Sequence, residues 1–384
     1  MRRHYFSIDL LRGVAAVAVL FCHYEFFYGP HSGAAFTLDD PQRQPLYTVL
    51  RPLYQHGGDA VQLFWMISGF VFAAVYRGRD TDARSFFVQR FSRLYPLHFL
   101  TLLAIAGVQL WSHRALGYFQ IFQYNDLYHF VLNLLFVSSW GFARGASFNF
   151  PIWSVSVEIV IYWVFFLSLR VLFRRGLWGP VVAAGVFWLL TRLRLPTPVA
   201  ACGLYFFAGS GVFVFLTLAR RVAVPVAVAS IVLGALVPGG RLLLVCGGII
   251  LLLGYLDEVY EPGGLRKWLA PIGESTYSIY LLGLPLQFAL MTALDVAGVD
   301  RARLADNTWF LVGFLATVFL LARLSFLYVE RPLQTLLRRQ LRVSRGAAIG
   351  DSQEVLVLGR VGVESLPVTQ IHIQPGPDGV NQAK

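Results

Sequence analysis

The chain has 384 residues, of which 57% are hydrophobic and only 14% are charged, and its mean hydropathy is +0.60. Soluble proteins of this length are about half apolar and about a quarter charged, so the composition excludes an ordinary soluble enzyme and predicts a polytopic membrane protein. The net charge of +11 requires no nucleic-acid partner, because basic residues concentrate in the cytoplasmic loops of membrane proteins.

Ten apolar segments approach or reach the roughly 20 residues that a transmembrane helix needs. They predict an all-α bundle of about ten spans, at residues 8–28, 60–76, 94–112, 153–173, 179–193, 199–218, 222–237, 242–256, 272–294 and 307–329. The N-terminus resembles a secretory signal, but Asp9 and Arg12 interrupt its apolar run and no small-residue cleavage site follows. The first segment is therefore predicted to be an uncleaved span.

Residues 118–142 are apolar only toward their end, and they contain Asn125, Asp126, His129 and Asn133. With a cytoplasmic N-terminus, the arginine-rich loop 77–93 is cytoplasmic. If 118–142 crossed the membrane, Arg174 and Arg175 would lie outside, against the rule that basic loops stay inside. We therefore expect 118–142 to be an external or re-entrant element, and both termini to be cytoplasmic.

One membrane domain is expected over residues 1–340. Residues 341–384 are polar and rich in Gly and Pro, which predicts a disordered cytoplasmic tail. The three cysteines, Cys22, Cys202 and Cys246, lie in apolar runs without a CxxC pair or a ligand spacing to histidine. They are predicted to be small packing residues, and no metal is expected.

The first span carries three ionisable residues, Asp9, Arg12 and His23. Helical residues advance about 100° each, so all three project from one stripe, and His23 lies about 16 Å beyond Arg12 along the axis. Ionisable residues within a span usually face a bundle interior and mark a site, and a neutral histidine suits a general base. The alternative is an interfacial Asp–Arg pair and a single hydrogen-bonded histidine.

Arg90 and Arg93 lie one helical turn apart in FFVQRFSRLYPLH, just before the third span. Pro96 suits a first helical turn, which predicts that the helix begins near it. Two guanidinium groups at this spacing can clamp phosphates. The alternative is ordinary anchoring by a basic cytoplasmic loop.

The fourth span opens with PIWSVSVEIVIYW, in which Ser154, Glu158 and Tyr162 share one face at i,i+4. Glu158 lies about one turn inside the membrane, where a carboxylate needs a histidine or arginine partner on a facing helix. The alternative is an interfacial Trp153 beside a carboxylate that reaches the surface.

The second span contains Ser68 and Gly69 in its middle. Small residues at such a position permit close helix packing, or they let a ligand chain pass between helices. Both interpretations remain open from the residues alone.

These stretches, in this order, resemble the acyltransferase-3 family of integral membrane acyltransferases. The resemblance rests on six motifs between residues 6 and 335: Ile8-Asp9 with Arg12 and His23, FWMISGF, RxxRLYP from Arg90 to Pro96, WSVSVE at 153–158, STYSIYLL at 275–282 and YVERP at 328–332. Together they cover nearly all of the membrane domain.

The resemblance implies transfer of an acyl group, usually acetyl, from cytoplasmic acyl-CoA to a hydroxyl of an extracytoplasmic or lipid-linked carbohydrate. His23 would be the catalytic base, and Asp9 and Arg12 would shape the path of the acyl donor. Arg90 and Arg93 would hold the phosphate-rich end of acetyl-CoA.

The outer side of the site would be lined by Trp153 and Ser156 as substrate-binding residues, with Glu158 among the catalytic residues. Ser68 and Tyr95 are further candidates for donor binding. The resemblance also favours a bacterial inner membrane, surrounding membrane lipids and other polysaccharide-assembly proteins as partners.

Two positions depart from the family pattern: Leu10 replaces a frequent glycine, and Gly283 replaces a histidine that often follows SYSIYLL. The acceptor sugar and the length of the acyl group stay open. A transporter or flippase of a glycan or lipid intermediate is the main alternative, because ten spans with buried charges suit that class too. A non-catalytic membrane scaffold or sensor is the third.

Overall fold

The computed structural model describes residues 4–29, 38–195, 197–237, 240–260 and 263–341. All regular elements in this part are helical, which confirms the predicted all-α class. They are α1 (Phe6–His23), α2 (Tyr47–His56), α3 (Ala60–Tyr76), α4 (Ala83–Leu116), α5 (Leu127–Leu134), α6 (Ile152–Leu172), α7 (Trp178–Arg192), α8 (Thr197–Leu218), α9 (Ala223–Leu236), α10 (Arg241–Val259), α11 (Leu265–Glu274), α12 (Thr276–Val296), α13 (Arg301–Ala305), α14 (Thr308–Ser325) and α15 (Arg331–Leu341). The tail predicted to be disordered lies outside the described residues.

Eight helical stretches of the described chain are long and apolar enough to cross a membrane. A helix forms at each of the ten predicted segments, but α7 and α9 have only 15 and 14 residues. They rise about 22 Å and 21 Å, which is less than the roughly 30 Å of the hydrocarbon core. The number of full spans therefore stays a prediction.

Both short helices nevertheless run antiparallel to the longer helix that follows them. Gly203 of α8 faces Phe187, and Gly211 faces Pro180, so α7 runs antiparallel to α8. Gly248 of α10 similarly faces Ile231 of α9. Because each short helix returns the chain to the start of its long neighbour, α8 and α10 end at the same end of the bundle.

Hydrogen bonds and an ion pair show that the basic loops lie together at that end. The Tyr5 hydroxyl donates to Glu258 at 3.2 Å, Arg77 donates to Thr217 at 2.6 Å, and Arg220 pairs with Glu258 at 3.4 Å. The start of α1, the loop after α3 and the ends of α8 and α10 therefore lie together. We call this the basic end, and the start of α6 lies at the opposite end.

The prediction that a helix begins near Pro96 is wrong. Helix α4 starts at Ala83, where the Asp82 side chain caps it by accepting from the backbone N–H of Ser85 at 2.9 Å. Hydrogen bonds from the side chain and the backbone N–H of Ser85 hold the pKa of the Asp82 carboxyl below its usual value. Pro96 lies inside the 34-residue helix. Arg90 and Arg93 are consequently helical residues that face the bundle, and the loop between the spans is much shorter than 77–93.

Residues 118–142 form no spanning helix. Their one α-helix, α5, has eight residues, which rise about 12 Å, and this agrees with the predicted non-spanning element. Asp126 caps α5 by accepting from the backbone N–H of His129 at 2.9 Å, and its carboxylate also contacts the His129 ring at 2.7 Å. Both hydrogen bonds lower the pKa of Asp126.

The closest helix contact joins α3 and α8. A Cβ atom built on Gly69 would lie 2.6 Å from the carbonyl carbon of Phe206, and one on Gly209 would lie 2.7 Å from that of Met66. The hydroxyl of Ser210 donates to the Gly69 carbonyl at 3.0 Å. The packing interpretation of the small residues in α3 is therefore correct for Gly69.

Candidate active site

A cavity of about 90 Å³ lies inside the bundle, bounded by α1, α3, α4, α6 and α12. It collects side chains that are far apart in sequence. Its polar lining consists of Arg12, Ser68, Arg90, Arg93, Ser154, Glu158, Tyr162, Thr276, Tyr277 and Tyr280. Five of the predicted site residues, Arg12, Ser68, Arg90, Arg93 and Glu158, are thus brought together.

Arg12 reaches the cavity from α1, and Asp9 supports it from one turn earlier. The Arg12 guanidinium lies 3.7 Å from one Asp9 oxygen, while the other oxygen lies 2.9 Å from Nε2 of His4. Asp9 does not line the cavity. The predicted pairing therefore exists, and Asp9 positions Arg12 while Arg12 faces the interior.

Arg90 is 8% exposed and is held mainly by aromatic rings. Its guanidinium lies 4.5 Å from the Phe72 ring centre and 5.7 Å from that of Tyr76. It also donates to the Tyr76 hydroxyl at 3.0 Å. Stacking of this kind suits arginine better than lysine, because the guanidinium is planar and weakly hydrated.

Glu158 lies on the face of α6 that also carries Ser154 and Tyr162, as the i,i+4 spacing predicts. It is 9% exposed, and one carboxylate oxygen has no hydrogen-bond partner among the described residues. Arg12 and Arg93 both lie within electrostatic range of this carboxylate. The arginine partners expected on facing helices are therefore present.

Glu330 was not predicted as a site residue, although its motif YVERP was noted. It is 6% exposed and accepts a hydrogen bond of 2.7 Å from the Ser278 hydroxyl. Arg12 and Arg93 lie within its electrostatic range as well. Its π-helical turn, Phe326–Glu330, is of the kind that often marks a functional site.

Two tyrosines of α12 were also missed. The Tyr277 hydroxyl donates to the Leu94 carbonyl of α4 at 2.8 Å. The Tyr280 hydroxyl donates to the Pro151 carbonyl at 2.7 Å and lies 2.8 Å from the Ser154 hydroxyl. These hydrogen bonds join α12 to α4, which carries Arg90 and Arg93, and to the start of α6, which carries Glu158. The motif STYSIYLL was the sequence signal that could have identified the two tyrosines.

His23 does not line this cavity. It ends α1, its ring centre lies 5.2 Å from that of Phe26, and its carbonyl accepts a hydrogen bond of 2.8 Å from the Gln287 amide. Its ring is also within hydrogen-bonding range of the Val19 carbonyl. Phe64 lines the cavity and also packs against the hydrophobic cluster that contains Leu20, Phe21 and Tyr24 of the end of α1.

Gly283, at the position of the family's frequent histidine, fills no polar role. A Cβ atom on it would overlap the Leu20 side chain of α1, so the glycine lets α1 and α12 approach closely. Gln287 lies one turn further along α12 and is 1% exposed. It is the polar side chain that α12 directs to the backbone of His23.

Trp153 lies outside the inner cavity, against a separate pocket of about 270 Å³ at the end opposite the basic end. This pocket is also lined by Asn133, Ser138, Ser139 and Ser147. Aromatic and hydroxyl-bearing side chains of this kind offer an apolar face and hydrogen bonds to a ligand.

The rings of Trp153 and Trp65 meet edge to face with centroids 5.7 Å apart, and Trp65 lines the inner cavity. The indole pair thus lies between the outer pocket and the inner cavity.

Ser156 and Tyr95 lie outside the inner cavity as well. The Ser156 hydroxyl accepts from the backbone N–H of Ser139 at 3.2 Å, so it braces the loop that carries the outer pocket. Tyr95 stacks on Phe91 with ring centroids 4.5 Å apart and faces Phe136. Their predicted substrate and donor contacts stay predictions.

The site offers charges suited to an anionic or strongly polar ligand. Three arginines line the cavity, with Glu158 among them and Glu330 beside them. Buried charges at membrane depth are costly unless paired or functional. The inner cavity thus collects charged side chains from α1, α4 and α6 in one place.

Comparisons with known proteins agree with these motifs. The family model described as an acyltransferase domain, that of the acyltransferase-3 family, matches residues 5–324. An acyltransferase of Streptomyces mycarofaciens, MdmB, is 34% identical over 189 residues, which cover 47% of this chain and 43% of that protein. Protein 2 in the picA locus of Rhizobium radiobacter is 35% identical over 104 residues, or 26% of this chain and 43% of that protein.

These matches span less than half the length of each relative, and no solved structure matches. The family model covers α1 to α14 almost completely, and with them the whole inner cavity. The chain belongs to the acyltransferase-3 family.

Proposed function

We propose that the protein is a membrane O-acyltransferase that moves an acyl group, acetyl in the simplest case, from acyl-CoA to a hydroxyl of a carbohydrate. The donor reaches the inner cavity from the basic end, which faces the cytoplasm of a bacterial cell. The acceptor is an exopolysaccharide, an O-antigen or a related glycan, and it approaches from the opposite end. The observation that carries the proposal is the convergence of Arg12, Arg90, Arg93 and Glu158 in one cavity of an acyltransferase-family bundle.

On the donor side, Arg90 and Arg93 bind the diphosphate of acyl-CoA, because guanidinium groups form strong charge-assisted hydrogen bonds to phosphate oxygens. Ser68 lies beside the pantetheine arm, on the α3 face next to Gly69. Arg12, held by Asp9, directs the thioester toward the outer part of the site.

The acyl transfer itself uses His23 as the general base. In a neutral imidazole one ring nitrogen is protonated and the other carries a lone pair. That nitrogen takes the proton of the acceptor hydroxyl while the oxygen attacks the thioester carbonyl carbon. The new C–O bond forms, the C–S bond breaks, and the leaving thiolate takes the proton back from the imidazolium.

Phe64 is the side chain that we expect to move for this step, because it lines the inner cavity and also packs against the hydrophobic cluster at the end of α1. A side-chain rotation there would let the thioester pass from the arginine cluster to His23. Such a gate also keeps water from the thioester while no acceptor is bound, which limits hydrolysis.

On the acceptor side, the outer pocket with Trp153 receives the sugar, and Ser156 supports the loop beside it. The protein works among membrane lipids, and other polysaccharide-assembly proteins supply or take up the glycan. A relative named as an acyltransferase supports the reaction class, while the carbohydrate acceptor follows from the family.

The test uses sealed membrane vesicles that contain the protein, in both orientations, with labelled acetyl-CoA added outside. We expect acetyl-labelled glycan with inverted vesicles, whose cytoplasmic face is outside, and none with right-side-out vesicles. A transporter predicts instead that glycan crosses the membrane without acyl-CoA and without gaining label. That outcome would overturn the proposal.

A further inference from the structure

A second polar pocket, of about 550 Å³, opens at the basic end next to the inner cavity. It lies between the turn after α3 and the last turns of α6. The residues that carry the argument are Arg77, Arg79, Arg170 and Arg174, with Asp80 as the acidic residue among the described lining. Four guanidinium groups around one carboxylate give the pocket a net positive charge.

A hydrogen bond between Tyr76 and Arg90 joins the linings of the two spaces. Tyr76 lines the basic-end pocket, and its hydroxyl accepts the hydrogen bond of 3.0 Å from Arg90, which lines the inner cavity. The two spaces therefore share a wall. A ligand arm that enters the inner cavity from this pocket therefore has to pass the Tyr76–Arg90 pair.

The arginines of the pocket have different surroundings from Arg90. Arg77 is fixed by its hydrogen bond of 2.6 Å to Thr217, while Arg170 lies exposed in the last turn of α6 and Arg174 lies exposed in the turn that follows the helix. Arg90 lies deeper, between aromatic rings. The positive charge thus extends as a path from the surface, through the pocket, to the inner cavity.

We infer that this pocket binds the adenosine 3′-phosphate end of the acyl donor, through phosphate contacts to Arg77, Arg79, Arg170 and Arg174. The inference rests on the proposed acyl-CoA chemistry and extends it to residues outside the RxxRLYP motif. Arg90 and Arg93 then take the diphosphate further in, and the adenine lies against the Phe166 and Phe173 rings that also line the pocket.

The spacing along α6 agrees with this arrangement. Glu158 and Arg170 are twelve residues apart on α6, which corresponds to about 18 Å of helix rise. A donor whose phosphate is bound at Arg170 therefore needs an extended arm to place its thioester near Glu158. Acyl-CoA has that shape, with its charged nucleotide at one end and its acyl group at the other.

The experiment compares wild type with an Arg170→Ala/Arg174→Ala double variant. Arg175→Ala is the matched control, since Arg175 is exposed, adjacent in sequence and outside the described pocket lining. The first readout is the KM for acetyl-CoA in vesicles. The second is the rise in Tm of the detergent-solubilised protein on adding adenosine 3′,5′-bisphosphate, a probe with the nucleotide end alone.

We expect the double variant to raise the KM for acetyl-CoA by roughly tenfold to a hundredfold, the effect of losing hydrogen bonds to a charged group, with little change in kcat. S-acetylpantetheine, which lacks the nucleotide, is expected to act as acyl donor with the same KM for wild type and for the double variant. Adenosine 3′,5′-bisphosphate is expected to raise the Tm of wild type and of Arg175→Ala, and to leave the Tm of the double variant unchanged.

An unchanged KM and an unchanged Tm response in the double variant would overturn the inference while leaving the proposed function intact. No transfer from acetyl-CoA by wild type would instead overturn the proposed function. If the arginines bind lipid phosphates, the nucleotide probe has no effect on Tm and the variant differs from wild type only in vesicles containing anionic lipid. That result would also contradict the inference.

Discussion

Because α3 and α8 pack closely at Gly69, adding a single methyl group there is expected to lower the stability of the protein strongly. Gly69→Ala places a Cβ atom 2.6 Å from the carbonyl carbon of Phe206 and closer still to its oxygen, whereas ordinary contacts begin near 3.4 Å. The obstacle is backbone, so no side-chain rotation relieves it. The helices must separate, which breaks the hydrogen bond from Ser210 to the Gly69 carbonyl.

Overpacking of a well-packed interface costs typically about 1–3 kcal/mol, and the lost hydrogen bond adds about 1 kcal/mol. We therefore expect Gly69→Ala to destabilise the protein by roughly 2–4 kcal/mol. Thermal unfolding in detergent, followed by loss of the monodisperse peak in size-exclusion chromatography, measures the change.

Gly107→Ala is the matched control, because a Cβ atom on Gly107 meets nothing within 4 Å, and alanine favours the helix over glycine. Its Tm should equal that of wild type or exceed it. If Gly69→Ala proves as stable as Gly107→Ala, the close approach of α3 and α8 is refuted.

Three further predictions concern other parts of the molecule. Arg301→Ala removes the cation that lies 3.4 Å from the buried Asp295 carboxylate and leaves it the neutral donors Tyr118 and Gln120, so stability should fall by about 3 kcal/mol, and the exposed Arg303→Ala on the same short helix should change Tm little. Because hydrogen bonds from His129 lower the pKa of Asp126, their contribution to α5 is present above the usual carboxyl pKa of 3.8 and is lost as the pH falls through the lowered value; the protection factors of the α5 amides, that is, exchange relative to its intrinsic rate at each pH, should fall over this range, and unchanged protection factors would contradict this. Glu330→Gln keeps a partner for the Ser278 hydroxyl but removes a charge near two arginines, so kcat should fall about tenfold or more at an unchanged Tm, measured by acetyl transfer and thermal unfolding in parallel.

Helical spacing was sufficient to predict one face of the site. Ser154, Glu158 and Tyr162 repeat every four residues, so their convergence follows from helix geometry alone. The same geometry argues against Ser156 as a cavity residue. It is two residues from Ser154 and two from Glu158, which places it about 200° around the helix from both, and it contacts the loop of Ser139 instead.

Other features depended on tertiary structure. Pro96 looked like a helix start, but α4 continues through it, and α12 and α15 contact the turn before it, Tyr277 at Leu94 and Arg338 at Ser92. The position of Glu330 depends on a π-helical turn, which no hydrophobic period reveals. His23 lies outside the arginine cavity, against Phe26 and Gln287, and side-chain packing of that kind cannot be derived from spacing along α1.

The sequence likewise could not predict which residues form the contacts between helices. Ser68 and Gly69 allowed either a packing role or a ligand path, and the structure divides the two roles between neighbours. Ser68 lines the cavity, and Gly69 touches the α8 backbone. A rotation of 100° between consecutive helical residues is enough to give them different surroundings.

The most direct test of the mechanism is acyl transfer by His23→Ala, compared with wild type and with His113→Ala at matched membrane abundance. His113 lies exposed in the last turn of α4 and serves as the histidine control. Labelled acetyl-CoA is supplied at the cytoplasmic face, and glycans are analysed by mass spectrometry for added acetyl groups. The mechanism predicts acetylation by wild type and by His113→Ala, and a loss of at least about a hundredfold in His23→Ala, the size of a general-base contribution. Equal acetylation by all three proteins would contradict it.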